Sequence, residues 1–181
     1  MTFLKSLPEN AVLLNVFKAY PVPARELIEY YEVVQRGPSP LSSAEREHIA
    51  AFVSALNGCG YCRGVHTATA EVLGVAAGTV DALMDDIDKA AVDDRLKPIL
   101  HYAGKLTRQP DGLTQADADA IFAAGWDDQA LHDTVSVCAL FNFMNRLVEG
   151  LGITADSRYF GAAAERIAAG GYAGMLEVLD T

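Results

Sequence analysis

The sequence predicts an all-α protein: one domain of roughly eight to ten helices, with a CxxC pair at the N-terminus of a core helix. Three observations carry that prediction. Apolar residues recur at helical spacing in nearly every long segment. Capping residues open these segments and glycines close them. No stretch alternates apolar and polar residues between hairpin turns. The 181 residues are 51% apolar and 21% charged, the balance of a globular chain with one substantial core. The breaks "RGPSPL", "GVAAGT" and "RQPDGL" are only connector-sized, so residues 1–181 read as a single domain.

The opening "MTFLKSLPENAVLLNVF" carries a lysine, a proline and an acidic residue where an export signal is apolar, which points to the cytoplasm. "PARELIEYYEVVQRG" places Leu27, Ile28, Tyr31 and Val34 at helical spacing and stops at Gly37-Pro38. "SSAEREHIAAFVSALNG" opens with a capping box, Ser42 and Glu45, and closes at Asn57-Gly58. Its uncharged run "IAAFVSAL" predicts burial on more than one side. Ile49, Phe52, Val53 and Leu56 make the bulky face, while Glu47, Ala50, Ala51 and Ser54 make a small-residue face that another helix can approach. A third helix runs from about Cys59 to Leu73 and ends at Gly74. Two more follow in "DDRLKPILHYAGKLTRQPDG", with a kink expected at Pro98, and "TQADADAIFAAG". The longest, at about 127–150, is apolar on most sides from Val135 to Val148 and is expected to be central. "ADSRYFGAAAERIAAGG" forms the last helix before a C-terminal turn.

The formal net charge is −10, from 14 basic and 24 acidic residues. The basic residues are scattered, with no stripe to neutralise phosphates, so neither nucleic acid nor an anionic membrane surface is an expected partner. No run approaches the ~18 uninterrupted apolar residues of a membrane span.

Three cysteines cannot build a disulfide scaffold in a chain of this size. Cys138, among Val135, Val137, Leu140 and Phe141, reads as a core thiol. Cys59, Cys62 and His66 stand at i, i+3 and i+7, on one stripe of one helix. Residues three apart on a helix lie within reach of a disulfide, so the pair can open and close without unfolding. The positive end of the helix dipole favours a thiolate there, and His66 is placed to move a proton. Glu47, on the small-residue face of the preceding helix, is expected to orient His66 as the third member of a relay. Haem attachment needs a histidine directly after the second cysteine, where Arg63 stands. Zinc held by Cys59, Cys62, His66 and Glu47, and a purely structural pair, are the rival readings. His48, His101 and His132 read as solvent-facing or satisfied. Asn142, Asn145 and Arg146, polar within the long helix, suit an interior pocket, a cap or an interface.

Glu47, eleven intervening residues, "CGYC" at 59–62, three more and then His66 resembles the signature of the alkylhydroperoxidase D (AhpD) family of the carboxymuconolactone decarboxylase-like superfamily. The match centres on residues 40–75. The pattern "FNFMNRLVEGLG" and the overall length resemble the branch labelled peroxidase-related proteins. The resemblance implies an all-helical fold assembling as trimers or hexamers. It also implies a cofactor-free, metal-free peroxidase that reduces organic hydroperoxides or hydrogen peroxide and is recycled by an external dithiol. In that scheme Cys62 attacks the peroxide, Cys59 is proton donor and resolving thiol, His66 is the base and Glu47 its supporting carboxylate. Tyr61 stands where some relatives carry a histidine. The helix dipole alone favours ionisation of Cys59, while the imidazole one turn away favours Cys62; the expectation sides with Cys62. A general disulfide oxidoreductase or a non-catalytic redox-sensing oligomeric module is the alternative.

Overall fold

The computed structural model describes residues 2–179, and among these residues all regular structure is helical. In chain order the helices are α1 Leu13–Ala19, α2 Pro21–Arg36, α3 Ser43–Leu56, α4 Gly60–Val72, α5 Thr79–Asp85, α6 Leu96–Arg108, α7 Gln115–Ala123, α8 Asp128–Gly150, α9 Ser157–Gly170 and α10 Gly174–Leu179. A short 3₁₀ turn, Pro110–Gly112, links α6 to α7.

α3 is the central rod. Its start is fixed as expected: Ser42 Oγ accepts from the Glu45 amide at 3.2 Å, and the Ser42 amide donates to Glu45 Oε2 at 2.7 Å. From Arg46 to Ser54 every residue of α3 is buried, because α4, α5, α6 and α8 all pack around it. Phe52 and Phe141 lie fully inside the resulting core, each worth about 1.5–3 kcal/mol of transfer free energy. α3 turns into α4 at Gly58, whose φ of +71° is a left-handed value that a side chain would strain. α4 is thereby laid back against the small-residue face of α3.

α9 covers the other side of α4, and the approach is set by one residue. A Cβ built on Gly64 would meet the Phe160 ring at 2.3 Å, so only glycine allows this spacing.

Several expectations change in the folded chain. Pro98 falls in the first turn of α6, where backbone N–H groups have no intrahelical partner, so it starts the helix rather than bending it. α8 is not apolar-covered all round: Phe143 is 53% exposed, and the buried stripe runs through Val137, Phe141, Met144 and Val148. His101 and His132 are exposed beside Asp88 and Asp133. His48 is neither solvent-facing nor satisfied. It is buried on α3, and its Nε2 has no hydrogen-bond partner among the described residues. Desolvation pushes its pKa from the usual 6.5 to about 4. None of the described helices is long and apolar enough to cross a membrane.

Two stability changes follow. Gly64→Ala forces α9 off α4 and is expected to cost about 1–3 kcal/mol by urea unfolding, despite alanine's better helix propensity. The unfolded chain protonates His48 near pH 6.5 while the folded chain resists until about pH 4, so stability is complete above pH 6.5 and falls as pH drops through this window. His48→Leu is expected to remove about 3 kcal/mol of that loss, read as a flatter curve of urea midpoint against pH.

Candidate functional site

The site begins with a carboxylate that has no access to water. Glu47 is 0% exposed, and a charge there is tolerable only if every lone pair is used. Its Oε2 lies 2.6 Å from His66 Nδ1. Its Oε1 accepts from Arg36 Nη2 and from the Tyr172 hydroxyl, each at 2.7 Å. Burial raises the Glu47 carboxyl, but His66, Arg36 and the Tyr172 hydroxyl outweigh it and hold its pKa below the ordinary carboxylate value. Glu47 is therefore a carboxylate, and the proton on His66 Nδ1 is the one donated to it.

That assignment sets the other side of the ring. With Nδ1 turned to Glu47, Nε2 faces the Tyr31 hydroxyl at 3.3 Å and accepts from it in the tautomer that carries its proton on Nδ1. The ring is wedged edge-on against Phe141, with centroids 4.4 Å apart. Tyr31 comes from α2, Arg36 from its last turn, and Tyr172 from the turn between α9 and α10. Glu32 fixes that turn by accepting from the Tyr172 amide at 2.6 Å and the Ala173 amide at 3.0 Å. The Tyr172 ring then lies 4.5 Å from Tyr31 and under the Arg36 guanidinium at 5.1 Å.

The two thiols are free and buried, Cys59 at 0% and Cys62 at 2% exposure. Cys59 is the N-cap of α4, and the Cys62 thiol and backbone N–H beside its sulfur both favour its ionised form. The Cys62 hydrogen bonds outweigh burial and a neighbouring Glu149 carboxylate, so the Cys59 pKa is lowered. Cys62 moves the other way. Donating to Cys59 and burial both raise it well above the usual thiol value, with a hydrogen bond from Asn145 opposing. Cys59 is thus the sulfur that ionises first, the outcome the helix dipole alone favours, and Cys62 is the one that keeps its proton longer. Only Cys62 of the two faces the apolar cavity of about 340 Å³ that Tyr31, His66 and Tyr172 also line.

The structure joins Glu47 of α3 to His66 of α4, sets Cys62 on the same cavity as His66, and leaves Cys59 behind it at the N-cap of α4. Sequence reasoning missed Tyr31, Arg36 and Tyr172, whose signal was diluted: each sits in an amphipathic helix or loop where aromatics and arginines are common. Asn145 was noticed as polar within the long helix, and its place is now clear. Its amide donates to Ser54 Oγ at 2.9 Å, and its carbonyl accepts from Asn57 at 2.9 Å, bracing the α3–α4 turn beside Cys62. Tyr61 does not join the relay. Its hydroxyl donates to Tyr159 at 2.8 Å, and burial raises its pKa. Cys138 is a core thiol on α8, near Thr107 at 3.2 Å. Among the described residues no three His, Cys, Asp or Glu side chains converge as metal ligands, so the zinc tetrad is not assembled here.

Residues 24–103 match the profile of the carboxymuconolactone decarboxylase family. Over 81% of this chain and 78% of the other, the sequence is 30% identical to an uncharacterized peroxidase-related protein from Silicibacter sp. TM1040, with a TM-score of 0.74. The chain belongs to this family, in its AhpD-like, peroxidase-related group. It is also similar to an uncharacterized peroxidase-related protein with an AhpD core from Ralstonia eutropha JMP134, at 24% identity and TM-score 0.75 over 80% of this chain and 76% of that one. The apo debrominase Bmp8 matches at 17% identity and TM-score 0.69 over 83% and 81%. These two likenesses show the fold alone. No curated protein sequence matches the chain.

A thiolate titration tests the pairing of this AhpD-like dithiol. In a Cys138→Ser background, absorbance at 240 nm is expected to show the first ionisation below the ordinary thiol range, and Cys62→Ala is expected to move it upward by removing the donor to Cys59. An unchanged titration in Cys62→Ala would show that the two sulfurs do not share the proton.

Proposed function

We propose that the protein is a thiol-dependent hydroperoxide reductase of the AhpD type. The observation that carries this reading is the meeting of a paired dithiol with the Glu47–His66 hydrogen bond at the end of one apolar cavity. The proton on Cys62 passes to the Cys59 sulfur it already faces, leaving a Cys62 thiolate toward the cavity. That thiolate attacks the distal oxygen of a hydroperoxide, the O–O bond breaks, and Cys62 becomes a sulfenic acid. The leaving alkoxide takes the proton of the Tyr31 hydroxyl and departs as an alcohol, and a proton from solvent restores Tyr31. Cys59, deprotonated again, attacks the Cys62 sulfur and expels hydroxide, which leaves as water with the proton that Cys59 gave up. The balance is ROOH, one thiol, one thiolate and one proton from solvent giving ROH, water and the Cys59–Cys62 disulfide. An external dithiol then restores both thiols by exchange.

Three groups on Glu47 keep it charged, so it holds the imidazole in one tautomer rather than exchanging protons itself. Arg36 and Tyr172 act through Glu47 as positioning residues.

With cumene hydroperoxide and dithiothreitol, Cys62→Ser is expected to lose turnover at least ~100-fold. Cys59→Ser is expected to stop after one equivalent, leaving a sulfenic acid that dimedone traps and mass spectrometry detects. Full activity in Cys62→Ser, or fast disulfide exchange with negligible peroxide consumption by the unaltered protein, rejects the assignment.

A further inference from the structure

The cavity above Cys62 is chemically one-sided. Leu14, Phe17, Val65, Met144, Ile167 and Met175 make up much of its wall, so it favours an apolar guest. Three of the four tyrosine hydroxyls on its lining donate elsewhere, Tyr31 to His66, Tyr61 to Tyr159 and Tyr172 to Glu47, while that of Tyr159 accepts from Tyr61. Beyond the His66 ring, the charged side chain that lines it is Arg166 of α9. Arg166 is exposed, whereas Cys62 and His66 are 2% and 4% exposed, so the cation lies at the outer end and the sulfur at the inner end.

Arg166 is also without a hydrogen-bond or ion-pair partner among the described residues, in a chain with 24 acidic residues against 14 basic ones. Arg36, Arg63, Lys97 and Lys105, by contrast, are each held by a carboxylate. A guanidinium unmatched by any described residue at the mouth of an apolar cavity suits a planar anion from a ligand.

We propose that the cavity takes an amphipathic organic hydroperoxide, with its peroxide group against Cys62, its hydrocarbon body along the apolar wall, and a carboxylate at the remote end bound by Arg166. This rests on the thiol-peroxidase reading and names its substrate class. Hydrogen peroxide fills none of the wall and gains nothing from Arg166, so it is the poor substrate of the pair. The reaction at Cys62 is unchanged: the hydroperoxy fatty acid leaves as the hydroxy acid.

The test pairs binding with turnover. Isothermal titration of the reduced protein is expected to show octanoate binding about tenfold more tightly than 1-octanol. Arg166→Ala should abolish that difference, and Arg166→Lys should restore part of it. In peroxide assays, kcat/KM for a hydroperoxy-octadecadienoic acid should exceed that for its methyl ester by about tenfold, with Arg166→Ala erasing the gap and leaving hydrogen peroxide turnover unchanged. Equal binding of octanoate and octanol, or equal loss of all peroxide substrates in Arg166→Ala, overturns the inference while the peroxidase reading stands. Arg166-dependent octanoate binding with no hydroperoxide consumed overturns the peroxidase reading and with it the substrate assignment.

Discussion

One buried carboxylate organises this molecule. Glu47 is held in the core without water, and its charge survives because Arg36, His66 and Tyr172 each contribute to its two oxygens. Those partners come from α2, α4 and the turn after α9, so satisfying one side chain requires three separate segments to converge on α3. Losing any one leaves a charge in a medium that does not solvate it, a penalty of several kcal/mol. The carboxylate therefore does two things at once. It ties the C-terminal turn to the core, and it fixes the tautomer of the imidazole that faces the cavity.

The same economy appears at the sulfurs. Cys59 at the N-cap of α4 and Cys62 one turn on share a proton, and the hydrogen bond between them pulls their pKa values in opposite directions. Two like groups so close cannot both ionise readily, and the splitting assigns them different parts. The sulfur that ionises first is hidden beside Glu149, while the one that keeps its proton stands beside Asn145 and faces the cavity.

His66 does not face Cys62 directly in this arrangement; Tyr31 occupies its Nε2. The hydroxyl lies against the imidazole and lines the same cavity as Cys62. Desolvation keeps Tyr31 protonated, so it is a donor that is always loaded at neutral pH.

The residues of α3 and α4 were legible from the sequence because their chemistry is local. The Ser42–Glu45 box, the left-handed Gly58 and the i, i+3, i+7 spacing of Cys59, Cys62 and His66 are all consequences of helix geometry within a few turns. Even the Glu47–His66 bond follows from two consecutive helices joined by a tight turn. Tyr31, Arg36, Tyr172 and the cavity came only with the tertiary structure, since helices distant in the chain meet there and periodicity marks a face as buried without saying what it is buried against. The same limit hid His48, whose place on a polar-looking stretch of α3 gave no sign that neighbours would close over it. Which sulfur ionises first also lay beyond the sequence: backbone and dipole favour Cys59, the imidazole's spacing favours Cys62, and the balance turned on how the two sulfurs pack against each other.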